Sequence, residues 1–303
     1  MEINSIGKTI KQLRLDKKIS SQSLYTGLLS RQARSNFEKG DSDTTVSKFF
    51  ILLDRLNISL DEFYVIHTQK ESVEFHLFTD IASVYYKKDI EGLILLINKL
   101  SKEYEKTNNI KYYHYKIMVE NMLRILKNES PSKDFEQLSN YLLNCDSWGY
   151  YEIMLFSNSI NYFSQDLIDI VFKRSKSIIT NFRILRRYRN EYAMLLLNII
   201  NKNILESNFP VAEKYFLEYE DMAEVLQNDM YYQTMRIYFR EVLEVTTNKK
   251  QSTEDLEKVI TYLGYFNMGN KQKQCIALLE QLNFHVEKKT DRNLEIAFHI
   301  TKK

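Results

Sequence analysis

The sequence predicts an all-α protein, with a five-helix domain over residues 1–66 and an α-solenoid of tetratricopeptide-like helix pairs over residues 67–303. Only 7 glycines and 2 prolines occur in the 303 residues, far below the usual fractions of about 7% and 5%. Because many-stranded folds need these residues in their turns, the composition favours helices. Apolar residues also recur at helical spacing along most of the chain, with brief polar breaks.

The first three helices are predicted from apolar spacing and from capping residues. The first helix carries an apolar stripe that repeats at helical spacing: Ile3, Ile6, Ile10 and Leu13. Ser20 is a suitable N-cap for a short second helix, which Gly27 ends. Ser30 and Gly40 bound a third helix of about nine residues, which is too short to be stable alone.

The fourth and fifth helices complete this domain. A fourth helix is predicted over residues 44–56 from five apolar residues: Val46, Phe49, Phe50, Leu53 and Leu56. The residues S-L-D-E at 59–62 form a capping box that opens the fifth helix. We expect the five short helices to share one core.

The second and third helices, joined by a turn that contains glycine, predict a helix-turn-helix whose second helix lies in the major groove of DNA. Ala33 and Phe37 have the i, i+4 spacing that buries against a neighbour, here with Leu24. Arginine pairs with guanine, and glutamine or asparagine with adenine. The predicted DNA-contacting residues of the third helix are Ser30, Arg31, Gln32, Arg34, Ser35, Asn36 and Lys39. Three residues that begin the second helix are predicted to bind phosphates: Ser20, Ser21 and Gln22.

The charge distribution fits this prediction without proving it. The whole chain has a net charge of +2, but residues 1–39 contain eight basic and three acidic residues, an excess of five positive charges. Such a block attracts phosphate. A solvated, lysine-rich surface is the alternative interpretation, and charge alone does not separate the two.

The first 66 residues resemble the Xre-type helix-turn-helix of the Rgg (GadR/MutR) regulators of Gram-positive bacteria. The resemblance is carried by K-K-I-S-S-Q-S-L-Y-T-G-L-L-S-R-Q-A-R-S-N-F-E-K-G at 17–40 and L-L-D-R-L-N-I-S-L-D-E-F at 52–63. The family pattern of serine followed by F-E-x-G falls on Ser30, Phe37, Glu38 and Gly40. Ser21 and Arg34 depart from the family's usual glutamine and small packing residue, so Arg34 is either a base-contacting or a surface residue.

The remaining chain resembles the same family. Its predicted helix starts near Asp89, Pro131, Asp166, Asn208 and Thr253 are 35 to 45 residues apart, as in helix-pair repeats. An irregular helical bundle is the alternative. The segment S-W-G-Y-Y-E-I-M-L-F-S-N at 147–158 is similar to an aromatic segment of Rgg proteins. The resemblance implies a homodimer of the quorum-sensing type, in which the concave face of the repeats binds a short signalling peptide.

Candidate peptide-binding residues follow from the helix predicted over residues 181–202. Its apolar side is formed by Ile184, Tyr188, Tyr192, Leu195 and Ile199. A separate stripe contains Arg187, Asn190, Met194, Asn198 and Asn201. Amides can pair with a peptide backbone, and Arg183 or Arg187 can hold a carboxylate. Asn158 and Asn161 on the preceding repeat are weaker candidates. A solvated or inter-repeat face is the alternative for this stripe.

Other classes of protein are disfavoured by what the sequence lacks. Cys145 and Cys275 lie far apart with no Cys/His cluster, so neither a disulfide framework nor a metal site is predicted. No Walker, GxGxxG, HExxH or GxSxG motif is present, so we expect neither an enzyme nor a cofactor. With no signal peptide and no apolar run near 20 residues, we expect a cytoplasmic protein without a membrane partner.

Two hypotheses remain. The first is a transcription regulator that binds a palindromic double-stranded DNA operator as a homodimer, because one short helix per subunit makes too few contacts for tight specific binding. A peptide on the repeats would then change the affinity or placement of the DNA-binding domains. The second is a helical-repeat interaction adaptor that does not bind an operator.

Overall fold

The computed structural model describes residues 5–68, 73–182, 185–290 and 296–302. Over these residues the protein forms sixteen α-helices, a short 3-10 turn and one two-stranded hairpin, which confirms the predicted all-α class. Two compact units are present, Met1–Ala82 and Ser83–Lys303. The domain boundary predicted after residue 66 stays a prediction.

The first unit contains the five predicted helices. They are α1 (Ile6–Asp16), α2 (Ser21–Tyr25), α3 (Arg31–Lys39), α4 (Val46–Leu56) and α5 (Leu60–Thr68), and α6 (Val73–Tyr86) begins in this unit. Ile3, predicted in the first helix, lies outside the described residues. The fourth helix begins at Val46 rather than Thr44, because Thr45 is its N-cap and accepts a hydrogen bond from the amide of Lys48.

The caps predicted from sequence are present. The Oγ of Ser20 accepts from the Ser23 amide at 3.0 Å, and the Oγ of Ser30 accepts from the Ala33 amide at 3.3 Å. Gly40 ends α3 with a φ of 86°, in the left-handed region that favours glycine. The capping box of α5 is complete, since Ser59 N–H donates to Glu62 Oε2 at 2.7 Å and Glu62 N–H donates to Ser59 Oγ at 3.1 Å.

The core of the first unit holds α3 against α1. Phe37 is 1% exposed and packs edge-on against Tyr25, with ring centroids 6.4 Å apart. Leu24 is also fully buried, whereas Ala33 is half-buried. At Gly7 the backbones of α1 and α3 approach so closely that an added Cβ would lie 1.7 Å from the carbonyl oxygen of Phe37. Only glycine fits at this contact.

The second unit is a succession of helices joined by short connections. They are α7 (Ile90–Thr107), α8 (Ile110–Leu126), α9 (Phe135–Asn144), α10 (Tyr150–Ser159), α11 (Gln165–Phe182), α12 (Arg186–Leu205), α13 (Phe209–Glu220), α14 (Met230–Thr246), α15 (Glu254–Tyr265) and α16 (Gly269–Gln281), with the 3-10 turn at Ile160–Tyr162. Most helices pack on the next helix in sequence, as α7 does on α8 and α12 on α13, and α8, α10, α12 and α14 form a continuous row in which each contacts the next. This arrangement is the expected stacking of helix pairs.

One helix boundary was predicted wrongly. A helix was predicted to begin near Asn181, after a break at residues 177–181, but α11 continues to Phe182 and α12 runs from Arg186 to Leu205. The segment lacks glycine and proline, so nothing in it forces the helix to stop. Arg183 and Ile184 lie outside the described residues.

The chain ends in a hairpin that the sequence analysis did not predict. Strands β1 (Phe284–Thr290) and β2 (Ile296–Lys302) pair in antiparallel register, with Val286 opposite Ile300. β1 packs on α16 and β2 on α15. The Oγ1 of Thr253 donates to the carbonyl of Ile300 at 2.8 Å, which ties the hairpin to the start of α15. None of the described helices has the length and apolar character needed to cross a bilayer.

Candidate functional site

The outer flank of α3 is open to solvent. Five of the predicted DNA-contacting residues are exposed: Ser30, Arg31, Gln32, Ser35 and Lys39. Arg34 and Asn36 are half-buried, and Gln32 Nε2 donates to Asn36 Oδ1 at 3.2 Å. This bond aligns two amide side chains one turn apart on the same flank. The flank therefore presents guanidinium, amide and hydroxyl groups together.

The residues predicted to bind phosphate lie at the N-terminus of α2. Ser20 and Gln22 are exposed and Ser21 is half-buried. The Oγ of Ser20 accepts the Ser23 amide, which leaves its own proton available for donation. The arrangement can present hydroxyl and amide donors to an oxyanion.

An arginine that sequence analysis missed holds the turn between α2 and α3. The Nη1 of Arg55, on α4, donates to the carbonyls of Leu24 at 2.7 Å and Thr26 at 2.8 Å. These carbonyls lie at the end of α2, where intrahelical partners run out. Gly27 follows with a φ of 76°. Arg55 therefore fixes the angle at which the chain enters α3.

A second pair explains the F-E-x-G pattern. The Nε of Arg14 donates to Glu38 Oε1 at 2.7 Å and its Nη2 donates to Oε2 at 3.0 Å, while Nη1 donates to the carbonyl of Ile19 at 3.1 Å. The two side chains are only 11% and 12% exposed, and the hydrogen bond to Glu38 raises the pKa of Arg14. Glu38 thus joins α3 to α1, and Arg14 is not available to DNA although it belongs to the basic block.

In the second unit, the predicted peptide-binding residues fall on α10 and α12 or near them. Arg187 and Asn161 are exposed, whereas four asparagines are half-buried: Asn158, Asn190, Asn198 and Asn201. The guanidinium of Arg187 lies 5.6 Å from the ring centroid of Tyr150 and 5.5 Å from that of Tyr188. Arg183 lies outside the described residues. The candidates on α12 therefore share one helix, but they do not have equal access to solvent.

Two of these asparagines already use their amide donors. Asn158 Nδ2 donates to the carbonyl of Met154 at 2.9 Å within α10. Asn198 Nδ2 donates to Ser157, at 3.0 Å to the carbonyl and 3.2 Å to Oγ. The amide of Asn198 therefore stabilises the contact between α12 and α10. Any peptide contact by these two side chains has to use their oxygens or replace these bonds.

Glu191 lies among these residues and was missed by the sequence analysis. Burial raises the pKa of Glu191 to about 7, and the hydroxyls of Ser157 and Tyr150 oppose this shift only in part. Ser157, whose hydroxyl affects the pKa of Glu191, also accepts a hydrogen bond from Asn198 at its Oγ. None of the described basic side chains forms an ion pair with Glu191. The signal was its position seven residues before Asn198, on the same helix face.

The site has no chemistry typical of a metal centre. In the described part of the chain, no three His, Cys, Asp or Glu side chains lie close enough to hold a metal ion. The side chains on α3, α10 and α12 are suited to binding by hydrogen bonds and charge.

Comparisons with known proteins identify the family and the fold. A family model described as the C-terminal domain of HTH-type transcriptional regulator Rgg matches residues 96–285. Among solved structures, a protein of Listeria monocytogenes EGD-e is 21% identical with a TM-score of 0.77, covering 93% of this chain and 98% of that chain. The Streptococcus dysgalactiae SHP pheromone receptor Rgg2 is 22% identical with a TM-score of 0.70, covering 91% and 99%. PrgX in its complex with cCF10 is 16% identical with a TM-score of 0.68, also covering 91% and 99%.

Proposed function

This chain belongs to the Rgg family of helix-turn-helix-type transcriptional regulators, and we propose that it binds an operator in double-stranded DNA through α3 and responds to a short peptide bound by its helical repeats. Both activities follow from surfaces that lie in different units of the same chain. The observation that carries the proposal is the exposed polar flank of α3, which is held in place by buried Phe37.

The DNA-binding part of the proposal assigns two roles. Arg31 and Gln32 contact base edges, because a guanidinium matches guanine and a primary amide matches adenine in the major groove. Ser20 and the first amides of α2 bind phosphates, which fixes orientation without selecting sequence. One nine-residue helix makes few contacts, so we propose that a homodimer binds two half-sites about one helical turn apart.

The test of this part uses duplexes selected from a random library by the wild-type protein. The double variant Arg31→Ala, Gln32→Ala should lose its preference for the selected duplex over a scrambled one, measured by fluorescence anisotropy. The matched control is Lys11→Ala, Gln12→Ala, which removes the same kinds of side chain from exposed positions on α1. The control should keep the preference. Unchanged preference in the α3 variant would overturn the assignment.

The peptide-binding part is supported by the polar group around α12 and by the ligands of similar proteins. Rgg2 is described as a pheromone receptor and PrgX was solved in complex with cCF10. In this chain, Arg187, Asn190 and Asn201 supply charged and amide groups along α12. We assign them to the backbone and polar groups of an extended peptide on the concave face of the repeats.

An adaptor without operator binding is the competing proposal, and salt dependence separates the two. Binding to DNA phosphates releases counterions, so affinity should fall steeply as salt rises. An adaptor should show no duplex binding to lose. A titration of duplex binding from low to physiological salt therefore distinguishes them directly.

A further inference from the structure

Gln32 and Asn36 form a hydrogen-bonded pair of amides on the exposed flank of α3. The Nε2 of Gln32 donates to the Oδ1 of Asn36, one helical turn further along, at 3.2 Å. A long side chain such as glutamine loses much rotamer freedom when it is ordered. The bond therefore selects one arrangement of the Gln32 side chain before any DNA is bound.

Asn36 is held more firmly than Gln32. Its backbone carbonyl accepts the amide of Asp41 at 2.9 Å, in the turn that ends α3 at Gly40. The next residue, Phe37, is 1% exposed and packs in the core of the first unit. The side chain of Asn36 is half-buried, whereas that of Gln32 is exposed. Asn36 is therefore the fixed member of the pair, and it can orient the more mobile amide of Gln32.

The bond determines which groups of Gln32 remain free for a ligand. A primary amide has a carbonyl oxygen that accepts and an NH₂ group with two donors. With one N–H used on Asn36, Gln32 keeps Oε1 and its second N–H. Adenine requires this combination in the major groove, because its N6 donates and its N7 accepts. The amide turned by half a rotation would place Oε1 against the Oδ1 of Asn36 and lose the bond.

A direct base contact is the alternative role for Asn36. Its Oδ1 already accepts from Gln32, so the groups left free are chiefly the N–H donors of Nδ2. Adenine calls for a donor and an acceptor together. Asn36 is also less exposed than Gln32. Both observations favour Gln32 as the residue that contacts the base and Asn36 as the residue that orients it.

We propose that Asn36 is a positioning residue, which holds the amide of Gln32 in the orientation that selects adenine at one position of the operator half-site. The inference rests on the proposed DNA-binding function. It gives Asn36 a different role from the base contact predicted from the sequence. Specificity at this position then depends on a side chain that does not touch the base.

The test uses a duplex selected from a random library by the full-length wild-type protein. Each adenine of this duplex is replaced in turn by 7-deazaadenine, which still pairs with thymine but lacks the N7 acceptor. Affinities are measured by fluorescence anisotropy. At one adenine of the half-site the replacement should weaken binding of the wild type by about tenfold, because the N–H of Gln32 loses its partner. Gln32→Ala should be insensitive to the replacement at that adenine.

Two variants of Asn36 separate orientation of Gln32 from a direct base contact. Asn36→Leu keeps the approximate shape of the side chain without the acceptor, and it should reduce the effect of the replacement to about threefold or less. Asn36→Asp keeps the acceptor and removes the Nδ2 donors. Its added negative charge should weaken binding to every duplex, but the effect of the replacement should stay near that of the wild type.

The matched control is Asp16→Leu, which removes a bond of the same kind from α1, where Gln12 Nε2 donates to Asp16 Oδ1 at 2.7 Å. It should keep the full effect of the replacement. A full effect in Asn36→Leu, or a loss of the effect in Asn36→Asp, would overturn the positioning role and leave DNA binding standing. A selected duplex with no sensitive adenine would overturn the adenine assignment. Failure of the wild type to select any duplex would overturn DNA binding itself.

Discussion

Replacement of Gly7 by alanine tests the close approach of α1 and α3 in the first unit. An alanine normally stabilises a helix interior by about 1 kcal/mol relative to glycine. Here the added Cβ would lie 1.7 Å from Phe37 O and 2.6 Å from Phe37 C, where 3.4 Å is an ordinary contact. The backbones of α1 and α3 would have to part by more than 1 Å.

The magnitude follows from what such a displacement disturbs. Overpacking a core costs about 1–3 kcal/mol. The carbonyl of Phe37 also accepts the Gly40 amide at 3.0 Å, and losing that cap bond costs about 1 kcal/mol. After the helix preference of alanine is allowed for, we expect Gly7→Ala to lower the free energy of unfolding by about 2 kcal/mol.

The assay is chemical denaturation followed by far-ultraviolet circular dichroism. Gly269→Ala is the matched control, because nothing lies within 4 Å of a Cβ added there and its backbone is helical. It should leave the midpoint unchanged or raise it slightly. A Gly7→Ala protein as stable as the wild type, or more so, would refute the close approach of α1 and α3.

Two further predictions concern charged groups. Burial raises the pKa of Glu191 from 4.5 to about 7, so the folded protein keeps a proton that the unfolded chain has already lost near pH 6. As pH rises from about 5 to 8, the free energy of unfolding of the wild type should therefore fall relative to that of Glu191→Gln, by roughly 2–3 kcal/mol. Denaturation followed by the fluorescence of Trp148, the single tryptophan, measures this, and parallel pH profiles would contradict it. Arg14→Ala should lower the free energy of unfolding by about 2–3 kcal/mol, because it leaves the mostly buried carboxylate of Glu38 without its ion-pair partner. Arg14→Lys should lower it less, because lysine keeps the charge but lacks the planar guanidinium that makes two parallel hydrogen bonds. Denaturation midpoints followed by circular dichroism check this order of stability for the two variants.

The parts of the fold that were predicted correctly depend on local signals. Ser20, Ser30 and Gly40 bound their helices through contacts within four residues, so the sequence around each residue contains the information. The hairpin was missed although its strands alternate apolar and polar residues, because the helical composition of the chain outweighed a short period-two pattern. The start of α12 was misplaced where no glycine or proline marked the break.

The candidate sites were predicted in outline, and their supporting contacts were not. Helical spacing identifies the exposed flank of α3, but it does not identify which residues distant in sequence contact the packed side of that helix. Arg14 and Glu38 are 24 residues apart, and Asn198 and Ser157 are 41 residues apart. Such pairs depend on how the helices are rotated against each other. The spacing of apolar residues within each helix does not indicate that rotation. Glu191 was missed for the same reason, since its partners lie on α10.

The bidentate bond between Arg14 and Glu38, together with the glycine contact at position 7, makes α1 and α3 move as one piece. Tilting or reshaping α3 alone would break these contacts, so a ligand bound elsewhere in the protein would have to supply the free energy that they contribute. In the proposed homodimer, regulation then changes the distance and angle between the two helix-turn-helix units and leaves the shape of each unit unchanged. The base identities accepted within each half-site should stay constant, while the tolerated spacing between half-sites changes with the effector.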